Sequence, residues 1–77
     1  MATEPQNRDT LADRYPNVSE WTLGGGWVEI GQSGNSLSFI RALDEGGLVW
    51  EGMSEYRSLD QAMEALEAGI AAWNDAN

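Results

Sequence analysis

Apolar and polar positions alternate most sharply between Trp27 and Gly52, where the runs WVEIG, LSFIRALD and LVWEG are separated by two glycine-containing turns. β-Branched and aromatic residues dominate these runs, which suits a pleated surface. Gly34 and Asn35 stand between two serines, and Asp44-Glu45-Gly46-Gly47 has the make-up of a second tight turn. With Gly34 and Asn35 as loop residues, Ile30 faces Phe39 and Val28 faces Arg41. With Glu45 and Gly46 as the second loop, Leu43 faces Leu48 and Arg41 faces Trp50. Side chains alternate with period two, so a core face would carry Val28, Ile30, Leu37, Phe39, Leu43, Leu48 and Trp50. The opposite face would carry Trp27, Glu29, Ile40, Ala42, Val49 and Glu51, a mixture of apolar residues and carboxylates.

Downstream the period changes. Leu59, Ala62, Met63, Leu66, Ile70 and Trp73 recur at three- and four-residue spacing and predict an amphipathic helix over 59–74. Ser58 is placed to cap it, with Gln61 three residues on as a capping-box partner. Gly69 within it is either a weak point, costing up to about 1 kcal/mol relative to Ala, or a place where the sheet approaches closely. Gln61, Glu64, Glu67, Ala68 and Ala71 are assigned to the solvent side.

Upstream, Thr10–Tyr15 can make one helical turn, capped by Asp9 or Thr10 and ended by Pro16. A short helix is expected over 17–23, with Asn17 as its cap and Glu20 reaching back. Gly24, Gly25 and Gly26 stop it. Residues 1–9 are expected to be disordered. The expected fold class is α+β, with one domain spanning 1–77. Its three-stranded antiparallel sheet, over 27–52, is followed by one C-terminal helix packed on one face (β-β-β-α), and a short helical arm precedes it.

Composition narrows the chemistry. The 77 residues contain neither cysteine nor histidine. This removes disulfides, thiolate metal sites, the commonest general base and the commonest metal ligand. Thirteen acidic residues stand against four arginines, with no lysine, for a net charge of −9. Such a chain repels nucleic-acid backbones and anionic membranes. No apolar stretch approaches the ~20 residues of a membrane span, and the N-terminus lacks the features of a signal peptide. A cytoplasmic protein is expected, without cofactor, metal, nucleic acid or membrane.

Catalytic constellations are sparse. Ser33, Ser36 and Ser38 have no histidine or lysine to activate them. The triple glycine follows a helix and precedes a strand, the reverse of a phosphate-cradling loop, and no lysine accompanies it. Asp44, Glu45, Glu51 and Glu55 lack calcium-loop spacing. Glu29 and Glu51 would project from strands one and three, with backbones about 10 Å apart. Such a carboxylate pair can serve acid–base chemistry, but an open sheet face provides no cleft, and solvated edge carboxylates are the plainer reading. Arg41 opposite Trp50 would permit a cation–π contact of structural value.

Four tryptophans are many for this length. Trp50 and Trp73 fall on surfaces that should meet. Trp27 points to the mixed face, and two outcomes stand: either Trp21 folds back over it, or an apolar patch stays exposed as an interface.

The run from Trp27 to Trp73, with WVEIG, SFIRALDEGGLVWEG and SLDQAMEALEAGIAAW, resembles small uncharacterised bacterial proteins of cyanobacterial type. That resemblance covers about two thirds of the chain and implies a shared small domain without supplying an activity. GGLVWEGMSEYRSLDQAMEALEAGIAAW is also similar in layout to HicB-type antitoxin modules, with Ser58-Leu59-Asp60-Gln61-Ala62 at the start of the capped helix. The proline-glycine-cysteine loop of that family and its glycine-aspartate before the helix are absent here. This likeness implies a partner-binding module whose acidity suits a basic toxin.

The expected function is therefore a non-enzymatic protein-interaction domain, self-associating or binding a basic protein partner. Its expected contact residues are Trp27, Glu29, Ile40, Val49 and Glu51. The alternative is a small-molecule-binding or accessory domain of an enzyme system that uses Glu29 and Glu51.

Overall fold

The computed structural model describes residues 10–32, 34 and 36–76. The expectation for residues 1–9, the capping role offered to Asp9 and the turn built on Asn35 lie outside them. Among the described residues the order is α1 (Leu11–Arg14), α2 (Pro16–Leu23), β1 (Trp27–Ile30), β2 (Ile40–Asp44), β3 (Gly47–Glu51) and α3 (Leu59–Ala76). The three strands form one antiparallel sheet in the order β1-β2-β3. This is the α+β arrangement that the two hydrophobic periods imply.

The register differs from the turn-based expectation by one residue on β2. Val28 pairs with Ala42, Glu29 with Arg41, and Ile30 with Ile40. One residue of slip inverts a strand's faces. Ile40 and Ala42 therefore lie on the core face at 0% exposure, while Arg41 and Leu43 turn to the other face. The shift arises because β1 and β2 are not joined by a tight hairpin. β1 ends at Ile30, Gly31 takes a positive φ of 106°, and β2 starts only at Ile40.

The β2–β3 turn closes as expected, with Asp44 paired to Gly47 and Leu43 to Leu48. A bulge then intervenes, and Ala42 pairs with Trp50, leaving Val49 as the extra residue. The bulge puts Leu48 and Trp50 on opposite faces although they are two residues apart. Trp50 keeps its core position, but opposite Ala42 rather than Arg41. The anticipated cation–π pair is thus replaced by an Arg41–Glu51 pairing.

The core lies between the sheet and the helices. Ala62, Leu66 and Ile70 of α3 are fully buried against Ile40 and Ala42, with Tyr15 and Val18 from the arm completing the cluster. α3 packs on β2 and β3, and α2 packs beside it and touches β1. Gly69 is the close approach: a Cβ there would fall 2.4 Å from Trp50 Nε1. The Ser58 half of the expected capping box forms, its Oγ accepting from the Gln61 N–H at 3.1 Å, while Gln61 Oε1 reaches one residue further back and accepts from the Arg57 N–H at 2.8 Å.

The cap of α2 is tertiary. Pro16 opens this helix at its first turn, and Asn17 lies within it rather than capping it. Tyr15 at the N-cap supplies no side-chain acceptor. Glu67 of α3 does so instead. One carboxylate oxygen accepts from the Asn17 N–H (3.0 Å) and its Nδ2 (2.7 Å), and the other from the Val18 N–H at 3.0 Å. A carboxylate at a helix N-terminus satisfies orphan donors and complements the helix dipole. Glu67 is therefore no solvent-side residue, and it fastens the arm to α3.

Candidate interaction surface

The two helices that touch the sheet, α2 and α3, do so from one side, since Val18 of α2 joins the same buried cluster as Ala62, Leu66 and Ile70 of α3. Trp21 does not fold over Trp27. Its indole N–H donates to the carbonyls of Leu43 (3.1 Å) and Trp27 (3.3 Å), and its ring meets Trp73 edge-on at 5.3 Å and 84°. Among the described residues no helix or strand covers the sheet face that carries Trp27.

Cross-strand pairing organises that face into two rows. Trp27, Leu43 and Leu48 align across the three strands and form an apolar row. Trp27 is 43% exposed and Leu48 54%. Glu29, Arg41 and Glu51 align one step further along and form a charged row. Directly opposed residues in a sheet project to the same side, which places each trio on one surface.

Arg41 holds the charged row in place. It is only 6% exposed, and every guanidinium nitrogen is used. Nε donates to Glu29 Oε1 at 3.1 Å, Nη2 to the Gly31 carbonyl at 2.9 Å, and Nη1 to the Ser38 carbonyl at 2.8 Å and Ser38 Oγ at 3.3 Å. One side chain thus takes the place of a ladder for the long β1–β2 connection and fixes Glu29. The other Glu29 oxygen accepts from the Trp27 indole N–H at 3.3 Å. Glu29 and Glu51 therefore do not face each other across an empty gap, because Arg41 occupies the position between them and Glu29 is engaged on both oxygens.

Of the five expected contact residues, Trp27, Glu29 and Glu51 share the open face. Val49 is half-buried at the bulge. Ile40 is a correction: it is fully buried beneath α3 and is absent from this surface. Leu43 and Leu48 are the residues that sequence reasoning missed. The signal was present in Ile40-Arg41-Ala42-Leu43-Asp44. Putting the lone arginine outward, rather than trusting the turn, assigns this strand to the faces observed.

Among the described residues, recesses lie at both ends of the sheet. The larger, about 660 Å³, is lined by Phe39, Tyr56 and Leu59 at the end where Gln32 bridges the Leu37 and Ser54 carbonyls. The smaller, about 250 Å³, lies at the opposite end beside the β2–β3 turn. Among the described residues no helix is long and apolar enough to cross a membrane. No family model, no curated protein and no solved structure matches the chain.

Proposed function

We propose that the protein is a small non-enzymatic interaction domain that docks a basic protein partner through the open face of its sheet. The observation that carries this reading is the apolar row Trp27–Leu43–Leu48, exposed at Trp27 and Leu48, set beside Glu29–Arg41–Glu51, with no helix or strand among the described residues over either. Aromatic and aliphatic anchors next to charged rims are what protein interfaces use for affinity and for selection. The net charge of −9 favours a basic occupant over a second copy, which would bring the same charge to the contact. The layout shared with HicB-type antitoxin modules points toward the same partner chemistry.

The test is affinity capture of the tagged chain at low and high salt, in parallel with Trp27→Ala, Leu48→Ser and Leu23→Ser. Leu23 is 84% exposed on the arm, away from the face, and serves as the control. The reading expects a stoichiometric basic partner, released by salt, lost with the first two variants and kept with the third. A partner retained by Trp27→Ala and Leu48→Ser would overturn the surface. A dimer that these two variants dissolve would keep the surface and replace the basic partner by a second copy.

A further inference from the structure

At the end of the sheet away from the 31–39 connection, a recess of about 250 Å³ is bounded by α2, the triple glycine, the β2–β3 turn and the end of α3. Its walls include two indoles, Trp21 and Trp73, set at 84° with centroids 5.3 Å apart. Trp21 is locked in that attitude by its N–H bonds to two strand carbonyls. Among the described residues its charged lining is acidic: Glu20, Asp44 and Glu45. Asp44 is held beside the turn by accepting the Gly46 N–H at 2.8 Å.

We propose that this recess binds an organic cation, with the Trp21 and Trp73 indoles as its walls and the Glu20, Asp44 and Glu45 carboxylates as its counter-charge. Indole faces carry negative potential and attract ammonium and guanidinium groups, and paired aromatic walls with nearby carboxylates are a recurrent way to hold them. A compact metal ion is the wrong occupant, because among the described residues no three carboxylates converge closely enough to hold one. An anion is excluded by the same carboxylates, which disposes of phosphate at the glycine loop. The volume lies below the roughly 300–1,000 Å³ of pockets that enclose whole small molecules, so it suits a cationic head rather than a larger ligand. Two sources carry that chemistry: a lysine or arginine side chain of a protein, and a free alkylammonium compound. The site lies off the open face, so this proposal does not rest on the docking reading above.

The test follows the four indole N–H resonances of the isolated chain by NMR during titration with Nα-acetyl-lysine methylamide, Nα-acetyl-arginine methylamide, choline, and the uncharged tert-butyl isostere of choline. Saturable shifts at Trp21 and Trp73, with Trp27 and Trp50 unmoved and the isostere silent, are expected. Tighter binding of the amino-acid derivatives would assign the site to a protein side chain, and tighter binding of choline to a free ammonium compound. The double variant Glu20→Gln/Glu45→Gln alters two exposed side chains and should weaken binding by about two- to fivefold. Trp73→Leu should weaken it roughly tenfold. Absence of saturable shifts, equal binding of the isostere, or an affinity unchanged in the double glutamine variant would overturn the proposal.

Discussion

The two faces of the sheet are built from the same three strands and differ in what closes them. The covered face is sealed by hydrocarbon, with Ile40 and Ala42 under Ala62, Leu66 and Ile70. The open face is ordered by one guanidinium, whose bonds reach Glu29, Gly31 and Ser38. Apolar burial is non-directional, so the first is held by close packing over its whole area rather than by any one bond. Charge-assisted hydrogen bonds are directional, so the second fixes positions without needing a covering layer. Among the described residues one face of the sheet is hence left free while keeping its shape.

This contrast can be broken from either side. Ile40→Ala should be the most damaging change, lowering unfolding free energy by about 2–5 kcal/mol in chemical denaturation. If Ile40 instead belonged to the open face, the same variant would leave the midpoint nearly unmoved. Arg41→Ala should cost about 2–3 kcal/mol, because the Gly31 and Ser38 carbonyls lose their donor in a buried setting. Its effect should also appear as faster amide exchange across 31–39, which a merely electrostatic role would not produce.

Gly69→Ala sets two effects against each other. Helix propensity favours alanine by up to about 1 kcal/mol, while a Cβ at 2.4 Å from the Trp50 ring overpacks the core at a cost of about 1–3 kcal/mol. Overpacking should win by about 1 kcal/mol, and a stabilised variant would show that Trp50 is free to move. Glu67→Ala should cost about 1 kcal/mol as a lost cap. Hydrogen exchange should show the loss concentrated in α1 and α2, the arm that completes the cover. Trp27→Ala on the open face, at a side chain only partly covered, should cost no more than about 1 kcal/mol, while the partner retained by wild type is lost.

The strands, the C-terminal helix and its Ser58–Gln61 cap were legible because each rests on local periodicity or on residues three apart. The Glu45–Gly46 turn was legible for the same reason. The β2 faces were not, because a turn rule applied at Gly34–Asn35 set the register for a connection that is not a tight hairpin. The true organiser of that connection, Arg41, acts through carbonyls three and ten residues away. The α2 cap was misplaced for a related reason: Asn17 and Glu20 satisfy a local motif, but the acceptor comes from Glu67, fifty residues on. The Trp21–Trp73 recess unites residues from three separate stretches, and spacing carries no trace of such a meeting.

By itself the sequence determined the element types, the polarity of the chain and the chemistry it lacks, since these follow from residue identity and short-range period. Tertiary structure alone decided which face is covered, which glutamate caps a helix and which indoles share a recess. Those outcomes depend on register and on contacts between distant residues, where a slip of one position exchanges the inside of a strand for its outside.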